Sequence, residues 1–184
     1  MKLTLFVTLL ILSLNAFASV RILIQTSRGD IGLELNEKLA PISVKNFLAY
    51  LATGYYDGTI FHRTVPGFVI QAGGILPDMT QKPGFEPIKN EATNGLSNLR
   101  GTISMARTSD IDSATSHFFI NTVDNLRLDH RPGEPTKYGY AVFGQVTSGM
   151  EVVDEIQNVP THTEGPYENT PVEKVIIFSI REII

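Results

Sequence analysis

The sequence predicts a mainly β or α+β domain, an antiparallel barrel or sandwich with two helices covering its open ends. Seven or eight short apolar or alternating runs are separated by Gly, Pro, Asn and Asp, the residues that turn a chain. Only two stretches space their apolar residues with helical period. They lie far apart, without the strand-helix-strand alternation that a parallel sheet needs for its crossovers.

The first element is a hairpin. Arg21-Ile22-Leu23-Ile24-Gln25 and Asp30-Ile31-Gly32-Leu33-Glu34-Leu35 alternate, and Thr26-Ser27-Arg28-Gly29 joins them. Pro41 then fits a first helical turn, where its missing N–H costs nothing. Val44, Phe47, Leu48 and Leu51 fall at i, i+3, i+4 and i+7, forming an apolar stripe that ends before Gly54. Phe61 to Gly74 reads as strand runs broken by the turn dipeptide Pro66-Gly67. Ile75 to Asn98, with Pro77, Pro83, Pro87, Gly84 and Gly95, is a long irregular connection of the kind that usually carries function. Strand runs return at Gly101 to Ala106 and His117 to Asn121, with the polar stretch Arg107 to Ser116 between them. Leu126 to Gly139 is a charged loop, and Tyr140 to Val146 a short strand. Met150, Val153 and Ile156 share a helical face with Val152 between Gly149 and Pro160, and Val172 to Ile184 closes the chain as a β-branched strand. The chain holds no internal repeat and no low-complexity tract.

At 184 residues, 42% hydrophobic and 18% charged, the chain suits one globular domain with its own core. Its first residues differ in kind. Met1-Lys2 is basic, Leu3 to Leu14 almost wholly apolar, and Asn15-Ala16-Phe17-Ala18 sets small residues where a signal peptidase reads. Residues 1–18 read as a signal peptide cleaved after Ala18, leaving a domain of residues 19–184. An apolar run of about a dozen residues falls short of the ~20 that span a bilayer, so stable membrane insertion is not expected. The formal charge of −4, more negative still without Lys2, argues against nucleic acid as a partner, since phosphate affinity needs clustered Lys and Arg. With no cysteine there is no disulfide framework, and stability must come from the core.

The residue inventory excludes several chemistries. His62, His117, His130 and His162 are scattered, without ligand spacing, so neither metal nor cofactor is expected. No Gly-x-Ser-x-Gly occurs, and Ser116 would face away from its neighbour His117 on a strand. Asp110 and Asp112 read as turn formers. A reaction needing only an apolar pocket and one or two donors remains open, and rotation about an X-Pro bond is one. Its barrier of ~18–20 kcal/mol comes from amide resonance, so a guanidinium that localises the lone pair on the proline nitrogen lowers it. Arg63, flanked by Phe61 and Phe68, is the candidate cation. By residue type alone it is also a salt-bridged surface arginine, and Phe68 and Phe119 are also core residues.

Phe61-His62-Arg63, Pro66-Gly67-Phe68, Gln71, Gly101 to Ala106, Ser116-His117-Phe118-Phe119-Ile120 and Val142-Phe143-Gly144, in this order, resemble the cyclophilins, peptidylprolyl cis-trans isomerases. The resemblance covers essentially the whole chain after residue 18. Lys89-Asn90-Glu91-Ala92 and Thr161-His162 to Tyr167 look most like exported cyclophilins of Gram-negative bacteria. It implies a closed eight-stranded antiparallel barrel capped by two α-helices, periplasmic residence, and isomerisation of X-Pro bonds in exported chains. By motif, Arg63 would be the catalytic arginine and Gln71 would orient it and help hold the substrate carbonyl. Phe68, Val69, Phe119 and Leu128 would line the proline pocket, Ala106 and Arg107 would meet the peptide through main-chain groups, and Tyr140 would stand at the rim.

Three positions depart from the commoner family pattern. Val69 stands where methionine is frequent, which removes volume from one wall. His117 replaces a glutamine before the Phe-Phe pair and suggests a contact sensitive to pH near the ordinary histidine value of ~6.5. Arg127 takes the position where eukaryotic members often carry the tryptophan that donates to cyclosporin, so weak cyclosporin binding is expected. The expected partners are proline-containing peptides and unfolded exported proteins, bound by a monomer. The alternative is a proline-peptide holding module in which turnover is incidental. A hollow ligand barrel is disfavoured, because large residues alternating along the strands would fill the interior.

Overall fold

The computed structural model describes residues 20–183, so the expected signal peptide lies outside the described residues. In chain order the elements are β1 (Val20–Thr26), β2 (Gly29–Leu35), α1 (Pro41–Ala52), β3 (Ile60–Phe61), β4 (Arg63–Val65), β5 (Val69–Ala72), β6 (Thr102–Met105), β7 (Phe118–Asn121), β8 (Val142–Ser148), α2 (Met150–Gln157), β9 (Thr161–Glu164), β10 (Tyr167–Pro171) and β11 (Val175–Ile183). Nine strands form one sheet in the order β3-β11-β1-β2-β8-β6-β7-β5-β4. The two strands that end this order are consecutive in the chain, separated only by His62. Ile60 and Phe61 pair with β11, while Arg63 to Val65 pair with β5, every ladder antiparallel. The sheet therefore curls back on itself. Counting Ile60 to Val65 as one strand, it is the expected eight-stranded barrel with two helices.

Alternation fills the interior. Ile22 and Ile24 of β1 are fully buried between exposed Arg21 and Gln25. On β11, Val175 and Ile177 point inward, a bulge opposite Gln25 and Thr26 shifts the phase, and Ile180 then points inward while Phe178 is exposed. Phe47 of α1 closes one end, its ring 5.4, 5.6 and 5.3 Å from Tyr56, Phe118 and Phe143. Val153 and Ile156 of α2 join the same core from the other end, beside the β1-β2 hairpin. Gly149, in the left-handed region at φ 81°, begins this helix. A Cβ there would come within 2.2 Å of the Asp30 carbonyl oxygen, so only glycine lets helix and hairpin meet.

Two features differ from the sequence reading. The last strand begins at Val175, and Thr161 to Pro171 instead forms the separate β9-β10 hairpin. That hairpin is largely exposed, so it carries no apolar alternation to announce it. The Ile75 to Asn98 connection is irregular as expected, yet one of its side chains caps a helix. Ala40 offers α1 no side-chain cap, and the Glu91 carboxylate accepts the N–H groups of Ile42 (3.0 Å) and Ser43 (2.7 Å). Tyr50 Oη accepts the Phe85 N–H at 2.6 Å and Tyr55 Oη donates to the Lys82 carbonyl at 2.9 Å, fastening the same loop.

His62 sits at the barrel seam, 4% exposed, its Nδ1 without a hydrogen-bond partner among the described residues. Burial, then His117, then Arg63 push its pKa from 6.5 down to about 3. The unfolded chain thus takes up a proton as pH falls through about 6.5 while the folded chain refuses it. Stability present above that pH is lost progressively down to about 3. Urea unfolding at pH 7 and pH 5 will show a loss to which His62 contributes roughly 2 kcal/mol, so the loss will be smaller in His62→Gln. Phe47→Ala, which empties the junction of α1 and barrel, will cost about 3–5 kcal/mol in the same measurement.

Candidate active site

Strand register places the expected residues. Arg63 on β4 lies opposite Gln71 on β5, Gln71 opposite Phe119 on β7, and Phe119 opposite Ser104 on β6. The intervening residues Thr64, Ile70, Ile120 and Ile103 are fully buried in the barrel, so this row projects from the outer wall. Arg63 Nη1 donates to Gln71 Oε1 at 3.4 Å, and its guanidinium carbon lies 5.8 Å from the centre of the Phe68 ring. Phe68 follows the Pro66-Gly67 turn, which folds its ring back beside the arginine on the preceding strand. A cation, a side-chain carbonyl and an apolar ring therefore meet on one surface.

The row behind supplies the wall. Val69 and Phe119 are buried at 2% and 4% exposure, yet among the described residues neither belongs to the continuous barrel core. Phe119 is covered from outside by the chain between β7 and β8. Leu128, half-buried, ends a single 3-10 turn whose carbonyl accepts the Tyr140 N–H at 2.9 Å. Tyr140 packs edge to face on Phe119 at 5.6 Å. Ala106 and Arg107 run on from β6, where Ala106 N–H donates to the His117 carbonyl at 2.9 Å. The Arg107 guanidinium lies over Tyr140 at 4.8 Å, with its Nε donating to the Gly139 carbonyl at 3.0 Å.

His117 stands two residues before Phe119, beside Gly73. With φ at 129° and the His117 Cα 2.3 Å from where a Cβ would stand, Gly73 can carry no side chain. The imidazole meets His62 at 5.2 Å, edge to face. Burial pushes its pKa below the usual histidine value, so the charge change expected near 6.5 moves to more acid pH. Ser116, as expected, turns the other way, its Oγ donating to the Gly73 carbonyl at 2.8 Å.

Beneath the wall lies a polar cluster that the sequence reading missed. Asn98 Oδ1 accepts from Ser104 Oγ (2.8 Å) and Asn121 Nδ2 (3.2 Å), while Asn98 Nδ2 donates to Asp129 Oδ1 (2.9 Å) and the Tyr140 carbonyl (3.3 Å). Asn125 Nδ2 donates to Asn121 Oδ1 and the Phe68 carbonyl, both at 2.8 Å, and the Thr122 N–H reaches that same carbonyl at 3.0 Å. The backbones of Phe68, Asp129 and Tyr140 are thereby tied to one buried set of amides. Each buried polar group left unpaired would cost about 1–3 kcal/mol, which makes the pocket wall stiff. The available signal was polar residues set among apolar strand residues, Ser104 between Ile103 and Met105 and Asn121 after Phe118-Phe119-Ile120.

Among the described residues no group of three His, Cys, Asp or Glu side chains could hold a metal ion, and no helix is long and apolar enough to cross a membrane. A groove of about 910 Å³ lies elsewhere on the barrel, lined by Leu35, Leu96, Leu99 and Val142 with Glu34, Glu37 and Lys38. None of the expected site residues lines it.

The family model described as cyclophilin type peptidyl-prolyl cis-trans isomerase/CLD matches residues 21–182. Peptidyl-prolyl cis-trans isomerase A of Dickeya dadantii is 53% identical over 180 residues, covering 94% of this chain and 93% of that protein. Peptidyl-prolyl cis-trans isomerase B of Escherichia coli is 50% identical over 155 residues, covering 84% and 94%. Among solved structures, a Cryptosporidium parvum cyclophilin type isomerase, determined in the presence of the dipeptide Ala-Pro, superposes with a TM-score of 0.76 at 31% identity, covering 89% of this chain and 99% of that one. With the barrel, the register and these relatives in agreement, the chain belongs to the cyclophilin-type peptidyl-prolyl cis-trans isomerases.

Proposed function

We propose that this isomerase acts on X-Pro bonds of exported proteins outside the cytoplasm, in the periplasm, with Arg63 as the group that lowers the barrier. The observation that carries this reading is the row Arg63, Gln71, Phe119, which sets a guanidinium on the same surface as apolar side chains. The proline ring enters between Phe68, Val69, Phe119 and Leu128, with Tyr140 at the rim; that the structural relative was determined in the presence of Ala-Pro supports a proline peptide as the ligand. Ala106 and Arg107 hold the flanking peptide through main-chain groups, and His117 borders it.

Chemically, the amide resists rotation because its nitrogen lone pair is delocalised into the carbonyl. As the bond twists, that lone pair localises, and the Arg63 guanidinium donates to it. This interaction is absent in the planar ground state and strongest at the twisted one, which is the condition for acceleration rather than mere binding. Gln71 serves twice, its Oε1 steadying Arg63 and its amide N–H facing the substrate carbonyl. No proton or covalent bond is exchanged. Burial of the ring in the pocket keeps water from competing for the guanidinium.

The export assignment is supported by the basic start, apolar run and Ala16-x-Ala18 site of the N-terminal segment, and a monomer by a sheet that curls back on itself through Ile60 to Val65. Cyclosporin binds weakly, because Arg127 replaces an indole donor. Its guanidinium lies over Phe68 at 4.4 Å.

In a proline-peptide assay, Arg63→Ala will lower kcat/KM by about 10²–10³-fold, and Gln71→Ala by less, since half of its role passes through Arg63. Unchanged kcat/KM in Arg63→Ala would remove the arginine from the mechanism. Cyclosporin inhibition will be weak in the natural sequence and tighter in Arg127→Trp, as read from inhibition curves of the same assay.

A further inference from the structure

Three arginines gather at the pocket of a chain whose formal net charge is −4. Arg63 and Arg127 approach the Phe68 ring at 5.8 and 4.4 Å, and Arg107 lies over Tyr140 at 4.8 Å. Among the described residues, the arginines in ion pairs are Arg28, Arg100 and Arg181, and none is one of these three. Nearby carboxylates are turned to other partners. Asp129 Oδ1 accepts the N–H and the Nδ2 of Asn98, at 2.7 and 2.9 Å. Asp124 accepts the Arg100 N–H at 2.9 Å, Asp112 the Asn90 N–H at 2.8 Å, and Glu134 pairs with Lys137.

Aromatic rings, rather than carboxylates, lie against these guanidiniums. A guanidinium against a ring keeps its charge and can still offer N–H groups to a planar anion. Arg107 spends its Nε on Gly139 and one Nη1 bond on Thr108, at 3.0 and 2.9 Å, which fixes the head without neutralising it. A peptide whose proline sits beside Phe119 must pass these charges.

We infer that Arg107 and Arg127 select the substrate: proline-containing peptides with acidic side chains flanking the X-Pro bond. The inference rests on the proposed seating of proline between Phe68 and Phe119. Each flanking carboxylate finds a guanidinium that forms no ion pair among the described residues. A flanking lysine meets like charge. Arg63 contributes to the field while its donor stays directed at the proline nitrogen. Because the arginines are partly exposed, the gain is modest and screened by salt.

The test measures isomerisation by exchange NMR on the purified protein, with peptides identical except for Glu, Gln or Lys on both sides of Ala-Pro. At low salt the Glu peptide will show kcat/KM about 3- to 10-fold above the Gln peptide, and the Lys peptide will fall below it. The Glu-to-Gln ratio will shrink toward one in 0.5 M NaCl, where the screening length falls to ~4 Å. In the double variant Arg107→Gln, Arg127→Gln the ratio will be near one at every salt concentration. Turnover of the Gln peptide with no preference for Glu overturns the selection and leaves the isomerase reading intact. A preference that survives the double variant overturns the assignment to these arginines. Absence of turnover on all three peptides overturns both readings.

Discussion

Closure of the barrel through Ile60 to Val65 is the constraint on which the site depends. This short segment must satisfy β11 with its first two residues and β5 with its last three. Phe61 is buried in the core, as is Thr64, while Arg63 faces outward, so the side-chain phase changes at His62. The same break that lets one strand serve two neighbours aims the guanidinium at the outer wall. It also buries an imidazole that remains neutral there.

Once Arg63 is set outward, the remaining pieces follow from different kinds of force. Strand pairing places Gln71 and Phe119 beside it, since residues directly opposite in antiparallel ladders share a face. A tight turn brings Phe68, and the asparagine cluster holds the backbones of Phe68 and Tyr140. The outer wall thus owes its apolar surface to side chains and its rigidity to buried amides. Aromatic rings do a third job, lying against arginines at the rim without cancelling their charge.

Legibility followed burial. The β1-β2 hairpin, both helices and the strands of the barrel each press one face on the core, so apolar period revealed them. The β9-β10 hairpin presses little there and left no such mark. Glu91 was visible only as part of a motif, because its partners, Ile42 and Ser43, lie almost fifty residues away. The same holds for Asn98, Asn121 and Asn125, whose value lies in one another. Residue types named Arg63, Phe68, Gln71 and Phe119 as candidates through the family pattern, but no spacing could state that Arg127 rests on Phe68 or that His117 faces His62.

The sequence by itself determined the class of fold, the absence of thiol chemistry, and an arginine beside phenylalanines as the available means of acting on a peptide. These depend on composition and local period, which the chain carries without reference to its distant parts. Tertiary structure alone decided that one segment closes the barrel, that three asparagines form one buried hydrogen-bonded cluster, and that the pKa of His117 falls through burial. The physical reason is common to all three. Register, hydrogen-bond satisfaction and desolvation are properties of residues brought together from far apart, and they take a value only when the chain has closed on itself.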